Sequence, residues 1–114
     1  MVGRQTPVAE PGSNLEVMRV HAPAVSGLLK TLSHPVRLLL ACTLAEGEHS
    51  VGMLEERLGV RQPTLSQQLT VLREAAIVDT RRSGKQIFYR LAGYETPLLI
   101  AALYTIYGTA DDPE

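Results

Sequence analysis

Side chains that could bind a metal or act as a nucleophile are few and scattered in this sequence. Cys42 is its only cysteine and lies within the apolar run VRLLLACTLAEG. The three histidines, His21, His34 and His49, fall on three different predicted segments, so their spacing does not define a tetrahedral metal site. There is no phosphate-binding loop and no nucleophile with a base at motif spacing. We therefore expect neither a metal nor a cofactor, and no enzyme activity.

Cys42 has two alternative roles that the sequence leaves open. A helical projection centred on Val36 places the thiol about 120° from the main inward stripe, on a second apolar face with Leu38 and Ala45. A buried cysteine usually behaves as a small hydrophobic residue. A thiol between packed helices could also shift them when a modification changes its size or charge. A single cysteine cannot form an intrachain disulfide, which is typical of a cytoplasmic protein.

The length of 114 residues is sufficient for one domain with a buried core and too short for two. We predict that domain over residues 14–109, between flexible tails at residues 1–13 and 110–114. The N-terminal tail has no apolar segment of the kind found in secretory signals. The longest uncharged stretch, residues 96–110, is shorter than the roughly 20 apolar residues that cross a bilayer. The sequence thus predicts no membrane association.

Basic residues are concentrated in one part of the chain. The formal net charge is −1 overall, but residues 57–90 contain seven basic and two acidic residues, a local net charge of +5. Such a block is typical of proteins that bind a polyanion, although it also occurs on solvated surfaces. The charge pattern therefore permits a nucleic-acid partner without establishing one.

Apolar residues spaced three and four apart predict helices in the first two thirds of the chain. A kink or a late start is expected in the first helix at Pro23. Ser50 is the expected N-cap of the third helix, and Gly59 its left-handed C-terminal residue. The predicted ranges are 15–32, 35–45, 51–58 and 62–75.

The pattern changes after the fourth helix. The runs IVDTRR and KQIFYRL, separated by Ser83-Gly84, predict a β-hairpin. A fifth helix at residues 96–107 is apolar on nearly every side, so another surface must cover it. In a chain of this size we expect that surface to be a second copy, and we predict a homodimer formed by the last helix and the first.

The third and fourth helices, joined by the turn GVRQ and followed by the basic hairpin, predict a winged helix-turn-helix, a mainly α fold with a β-hairpin wing. The inward stripe of Leu65, Leu69 and Leu72 leaves polar side chains of the fourth helix free to reach DNA base edges. The start of this helix could hold a phosphate, and the wing could follow the phosphate backbone or enter the minor groove. The candidate DNA-binding residues are Arg61, Gln62, Pro63, Thr64, Ser66, Gln67, Thr70, Arg81, Arg82, Lys85 and Gln86. The alternative is a winged-helix module that binds proteins through the wing and the last helix.

Residues 28–91 resemble the ArsR/SmtB family of bacterial winged helix-turn-helix repressors. The resemblance is carried by LSHPVRL at the second helix, QPTLSQQLTVLRE on the fourth and GKQIFYRL on the wing. It implies a homodimeric repressor that binds a palindromic operator in double-stranded DNA and is released by an inducer, with two recognition helices about one DNA turn apart. Ala76 stands where the family usually has glycine. If the left-handed turn persists there, alanine costs up to about 1 kcal/mol.

The resemblance also bears on the inducer. Metal sensors of the family have Cys-x-Cys at the start of the third helix, where this chain has Ser50 and Gly52, or Asp and His on the last helix, where it has apolar residues, Thr and Tyr. LLKTLSHPVRLLLACTLAEGEHSVGMLEE and ALYTIYG are similar to the sulfide- and persulfide-responsive, biofilm growth-associated branch. That branch pairs the second-helix cysteine with another late in the last helix, a position held here by Gly108.

The resemblance thus implies a redox-sensing role for Cys42 that lacks its usual second thiol. Either this is a divergent or engineered one-cysteine form fixed in the DNA-binding state, or Cys42 is modified alone, by persulfide or another sulfur species. A repressor of the same type that responds to a non-sulfur inducer is the further alternative.

Overall fold

A computed structural model describes residues 13–110, which form helices and a three-stranded antiparallel sheet. The helices are α1 (Asn14–Leu32), α2 (Pro35–Leu44), α3 (Val51–Leu58), α4 (Gln62–Glu74) and α5 (Glu95–Tyr107), and the strands are β1 (His49–Ser50), β2 (Val78–Ser83) and β3 (Gln86–Leu91). The predicted fold class, mainly α with a β-hairpin wing, is confirmed. The predicted tails fall almost entirely outside the described residues.

The chain divides into two units, residues 1–30 and 31–114. In the first unit, α1 begins at Asn14, where the Ser13 hydroxyl accepts a hydrogen bond of 3.3 Å from the Glu16 N–H. The helix includes Pro23 in its interior, so the alternative of a late start at that residue is wrong. The domain boundaries predicted at residues 14 and 109 stay a prediction. Within residues 13–110, no helix combines the length and the apolarity needed to span a bilayer.

In the second unit, α2 is the central helix and packs against α3, α4, α5 and β3. Its buried face is formed by Leu40, Ala41, Thr43 and Leu44. The face is therefore rotated from the one projected around Val36, and Leu39 is 50% exposed. Burial of each leucine contributes about 2 kcal/mol, relative to an exposed side chain. The other fully buried large side chains are Leu54, Leu65, Leu69, Leu72, Val78 and Ile100.

The start and end of α3 are those predicted. The Ser50 hydroxyl accepts a hydrogen bond of 3.2 Å from the Met53 N–H, which satisfies one of the free donors of the first turn. Gly59 ends the helix with a φ of 67°, a conformation that favours glycine, and its N–H donates to the Glu55 carbonyl at 2.9 Å. Because α3 ends abruptly at Gly59, only a short turn separates it from α4.

The end of α4 confirms the left-handed turn at Ala76, which has a φ of 60°. The Ala76 N–H donates to the Arg73 carbonyl at 3.0 Å and the Ile77 N–H to the Leu72 carbonyl at 2.9 Å. These two bonds form a Schellman motif, in which the left-handed position is usually glycine. The buried side chains of Ile77 and Leu72 accompany it, and β2 starts at the next residue.

The sheet has the strand order β1-β3-β2. The predicted hairpin is confirmed, but its turn is shifted by one residue. Because Ser83 pairs with Gln86, the two connecting residues are Gly84 and Lys85, and Gly84 supplies the positive φ of 64°. The two-residue strand β1, which was not predicted, pairs His49 with Tyr89 and joins the wing to the helix-turn-helix.

Candidate nucleic-acid interface and thiol site

The polar face of α4 lies at the surface of the second unit. Leu65, Leu69 and Leu72 are buried, with at most 1% of each residue exposed, and they fix the rotation of the helix. The Thr70 hydroxyl donates to the Ser66 carbonyl at 2.9 Å, so it offers an outside partner its methyl group and acceptor lone pairs. Exposed predicted residues on or directly before α4 are Arg61, Gln62, Pro63, Thr64, Ser66, Gln67 and Thr70.

The start of α4 is already engaged by a carboxylate. The Gln62 N–H donates to Glu55 Oε2 at 3.2 Å, and Pro63 has no N–H to offer. Arg61 occupies the N-cap position without a side-chain capping bond. The first turn therefore offers a phosphate fewer free donors than the sequence suggested, and the acidic Glu55 side chain lies beside it.

Arg37 is a residue that the sequence analysis missed. Its Nη1 donates to Gln68 Oε1 at 2.8 Å and its Nε to the Thr31 carbonyl at 2.7 Å. Within the second unit, the guanidinium therefore ties α4 to α2 and to the backbone of Thr31. Since Arg37 and Gln68 are 31 residues apart, no local pattern could have revealed the pair, although Arg37 lies within the motif LSHPVRL.

The basic residues of the wing do not form one cluster. Arg81 pairs with Phe88 and Arg82 with Ile87, and successive residues of a strand face opposite sides of a sheet. Arg81 and Arg82 therefore lie on opposite faces of the ribbon, while Lys85 is in the turn. All four predicted wing residues, Arg81, Arg82, Lys85 and Gln86, are exposed.

Two glutamates from the segment between α2 and β1 neutralise part of the basic block. Arg57 Nη1 lies 2.6 Å from Glu46 Oε1, and Arg81 Nη2 lies 2.7 Å from Glu48 Oε1. These hydrogen bonds hold the pKa of each glutamate below its ordinary value, so both carboxylates are charged at neutral pH. Arg90 Nη1 lies 3.9 Å from Glu48 Oε2. Among residues 13–110, the basic side chains of the block that have no ion-pair partner are Arg61, Arg73, Arg82 and Lys85.

Cys42 lies partly buried on α2, where it meets α5. It interacts with the side chain of Tyr104, and this hydrogen bond, together with desolvation, raises the pKa of the tyrosine above its ordinary value. Tyr104 also lines an open cleft of about 500 Å³ with Ala101, Thr105 and Thr109. The thiol thus touches the helix that the sequence assigned to dimerisation.

Gly108 is the C-cap of α5, with its N–H donating to the Tyr104 carbonyl at 2.8 Å. Its φ of 99° and ψ of 164° lie in a region that is essentially restricted to glycine. A cysteine at this position would have to take another backbone conformation. Gly108 is therefore suited to ending the helix one turn after Tyr104.

The three histidines lie on separate elements, as predicted. His21 is exposed on α1, and His34 caps α2 by accepting a hydrogen bond of 3.1 Å from the Val36 N–H. The buried His49 has its Nδ1 2.8 Å from the Gly47 carbonyl and its Nε2 3.4 Å from Arg57 Nη1. Within the described part of the chain, no three His, Cys, Asp or Glu side chains come together in a way that could hold a metal ion.

Known proteins provide an independent comparison. Residues 34–80 match the family described as "Bacterial regulatory protein, arsR family". The "Biofilm growth-associated repressor" of Xylella fastidiosa (strain Temecula1 / ATCC 700964) is 56% identical over 111 residues, which cover 97% of each chain. The crystal structure of the transcriptional repressor BigR from Xylella fastidiosa superposes with a TM-score of 0.80 at 60% identity, covering 85% of this chain and 99% of that one.

A more distant solved structure has the same fold. The homodimeric winged helix-turn-helix DNA-binding domain of Mb0332 from Mycobacterium bovis, a possible ArsR-family regulator by its description, has a TM-score of 0.68 at 26% identity. The alignment covers 87% of this chain and 90% of that domain. The chain is 56% identical to the Xylella repressor over nearly its full length, and it shares the fold of the Mycobacterium bovis domain. The chain belongs to the ArsR family of bacterial regulatory proteins.

Proposed function

We propose that this ArsR-type transcriptional repressor binds a palindromic operator in double-stranded DNA as a homodimer. The observation that carries the proposal is the exposed polar face of α4, whose leucine stripe is anchored in the core, together with Arg82 and Lys85 of the wing, which have no ion-pair partner within the described part of the chain. This arrangement supports a complex in which α4 lies in the major groove and the wing follows the flanking phosphates. As a DNA-binding regulator, the protein would act in the cytoplasm.

Side chains on α4 have the chemistry to read bases. Gln67 is exposed in the first half of the helix, where a glutamine can form two hydrogen bonds with adenine. Thr64 and Ser66 can donate to or accept from base edges, and the Thr70 methyl can contact thymine. Arg82 and Lys85 would contact phosphate, which supplies affinity without sequence preference.

The apolar surface of α5 supports the dimer. Leu98 is 62% exposed, Ile106 70% and Tyr107 83%, although the helix is apolar along most of its length. Exposed apolar surface on this scale favours burial against a partner. The homodimeric description of the Mycobacterium bovis domain supports a symmetric pair, to which α1 would contribute as the sequence predicts.

For regulation, we propose that modification of Cys42 alone, by persulfide or another sulfur species, changes DNA affinity. The thiol lies between α2, which packs on the recognition helix, and α5 of the proposed dimer interface. A larger or charged group at the sulfur would displace Tyr104 and alter the spacing of the two recognition helices. Gly108 leaves no second thiol for an intrachain disulfide, so the change must occur at one sulfur.

The test is a titration of labelled promoter DNA at two salt concentrations, with a scrambled duplex of equal length as control. We expect a specific complex whose affinity falls steeply with salt, because each neutralised phosphate releases counterions. Equal binding of both duplexes, or affinity that does not change with salt, would contradict the proposal. Either outcome would favour the alternative, a winged-helix module that binds proteins.

A further inference from the structure

We propose that Glu48 is a positioning residue of the DNA-binding wing: its carboxylate holds Arg81 at the base of the wing and leaves the phosphate contacts to Arg82 and Lys85. This inference rests on the proposed function and adds a division of labour among the wing cations. It gives Arg81 a role different from the direct DNA contact that the sequence predicted.

The first observation is the geometry of the ion pair. Arg81 Nε donates to both oxygens of Glu48 at 3.1 Å, and Nη2 donates to Oε1 at 2.7 Å. Such two-point arginine–carboxylate pairs are stronger and more directional than single contacts. The Nε–H and one N–H of Nη2 are therefore engaged before any DNA is present.

The second observation is the aromatic ring beneath the guanidinium. The Cζ of Arg81 lies 5.1 Å from the centre of the Phe88 ring, and Phe88 is the cross-strand neighbour of Arg81. A guanidinium over a ring face is favoured electrostatically. Arg81 is thus held by the ring as well as by the carboxylate, and both contacts draw it toward the body of the protein.

The third observation is the position of Arg81 along the wing. At Phe88 the sheet has three strands, because Ser50 of β1 pairs with Phe88 from the other side. Beyond this level the wing is a two-stranded ribbon. Arg82, on the opposite face, and Lys85, in the turn, belong to the ribbon and have no ion-pair partner among residues 13–110.

The charge balance follows from this placement. Glu48 lies 2.7 Å from Arg81 and 3.9 Å from Arg90, so a phosphate approaching either arginine also approaches a carboxylate. Arg90 and Asp79 are direct cross-strand neighbours, which places a second carboxylate near this region. Removal of the Glu48 charge would therefore release Arg81 for DNA and make the wing more basic.

The experiment compares the salt dependence of operator binding among single variants. Each lost phosphate contact lowers the magnitude of the slope of log K against log salt by about 0.9. Because a homodimer carries each substitution twice, we expect the magnitude to fall by about 1.8 for Arg82→Ala and for Lys85→Ala, and not to change for Arg81→Ala. Glu48→Gln is expected to increase the magnitude of the slope by about 1.8, since two Arg81 side chains are released per dimer, and to raise affinity about tenfold or less at low salt. The double variant Glu48→Gln/Arg81→Ala should return to the parent slope.

The control is Glu56→Gln, which removes the same charge from an exposed glutamate of α3 that has no ion pair within the described residues. It should leave the slope unchanged. The proposal would be overturned if Arg81→Ala and Arg82→Ala reduced the magnitude of the salt slope equally, or if Glu48→Gln left that magnitude unchanged. A lower Tm of Glu48→Gln with the parent slope would show a purely structural role, which also overturns it. If the parent forms no salt-dependent operator complex, the proposed function fails as well.

Discussion

At the scale of single residues, Gln67 and Arg82 have different tasks in the proposed complex. Gln67 is exposed on α4 and would read a base, whereas Arg82 is exposed on the wing and would contact phosphate. We expect Gln67→Ala to weaken operator binding by about 1–3 kcal/mol, with no change in the salt slope or in binding to unrelated DNA.

Competition titrations with operator and scrambled DNA measure this difference directly. Glu74→Gln, two helical turns beyond Gln67 at the exposed C-terminal end of α4, is the control and should keep the parent preference for operator. If Gln67→Ala weakens binding to both duplexes equally, the residue contributes to general affinity, and its assignment to base recognition is incorrect.

Cys42 gives the second prediction at this scale. Cys42→Ser should bind the operator with the parent affinity, because serine has a similar size and the side chain at this position interacts with Tyr104 of α5. It should no longer lose affinity after treatment with a persulfide donor, since the reacting sulfur is absent. DNA binding before and after treatment, with mass spectrometry of the same samples, measures the response.

Tyr104→Phe is the matched control, because it retains Cys42 and removes the hydroxyl with which the thiol interacts. After treatment with the persulfide donor, mass spectrometry should still detect added sulfur on the Tyr104→Phe protein. A parent protein that acquires sulfur and stays bound to DNA would argue against sensing through Cys42 and would favour the one-cysteine form fixed in the DNA-binding state.

The sequence was sufficient to propose the residues that point outward, but not those that hold them in place. Exposure of Gln67 follows from the leucine spacing of a single helix. The pairs Arg37–Gln68 and Arg81–Glu48 join residues 31 and 33 positions apart, so they depend on how α2, α4 and the sheet pack. The charge of the basic block was counted correctly, but its neutralisation from outside the block was not visible.

At the scale of secondary-structure elements, the backbone at the end of α4 is strained, and a single substitution should relieve the strain. Ala76 occupies the left-handed position of a Schellman motif with a φ of 60°. Ala76→Gly should stabilise the protein by about 0.5–1 kcal/mol, because relief of the strain exceeds the greater chain entropy of glycine in the unfolded state. Thermal and urea unfolding measure the change.

The neighbouring Ala75→Gly provides the control. Ala75 has a φ of −84°, which alanine adopts without strain, so the glycine there should destabilise the protein. A decrease in stability for Ala76→Gly as well would mean that the turn is not left-handed in solution.

The helices were predictable because each has a repeating apolar face and clear end signals. Ser50, Gly59 and Pro35 mark boundaries that the structure retains. The strand β1 has two residues, too few for any alternation, and it exists only because β3 lies beside it. The hairpin turn was misplaced by one residue since Ser83-Gly84 and Gly84-Lys85 are both acceptable turn sequences, and cross-strand pairing decides between them.

At the scale of the whole molecule, the exposed face of α5 predicts the oligomeric state. Ile106→Glu should weaken the dimer by about 3 kcal/mol or more, because a symmetric interface contains the substitution twice and must bury a charge each time. Analytical ultracentrifugation across a concentration series measures the change, and operator affinity should fall with it.

Ile106→Leu keeps the apolar surface and should remain dimeric. A monomeric parent at micromolar concentration would contradict the dimer, and a dimeric Ile106→Glu would place the interface elsewhere. In either case, DNA-binding measurements would still test the roles assigned to α4 and to the wing.

The strand β1 has a further consequence for motion. Phe88 and Tyr89 are paired on both sides, whereas the ribbon from Arg82 to Ile87 is paired on one side only. Amide hydrogens near Phe88 should exchange with solvent only when the whole domain opens, and those of the ribbon should exchange through local fraying. The base of the wing is thus held in a fixed direction, while its tip can move. This would let the wings of two identical subunits adapt separately to DNA grooves of unequal width.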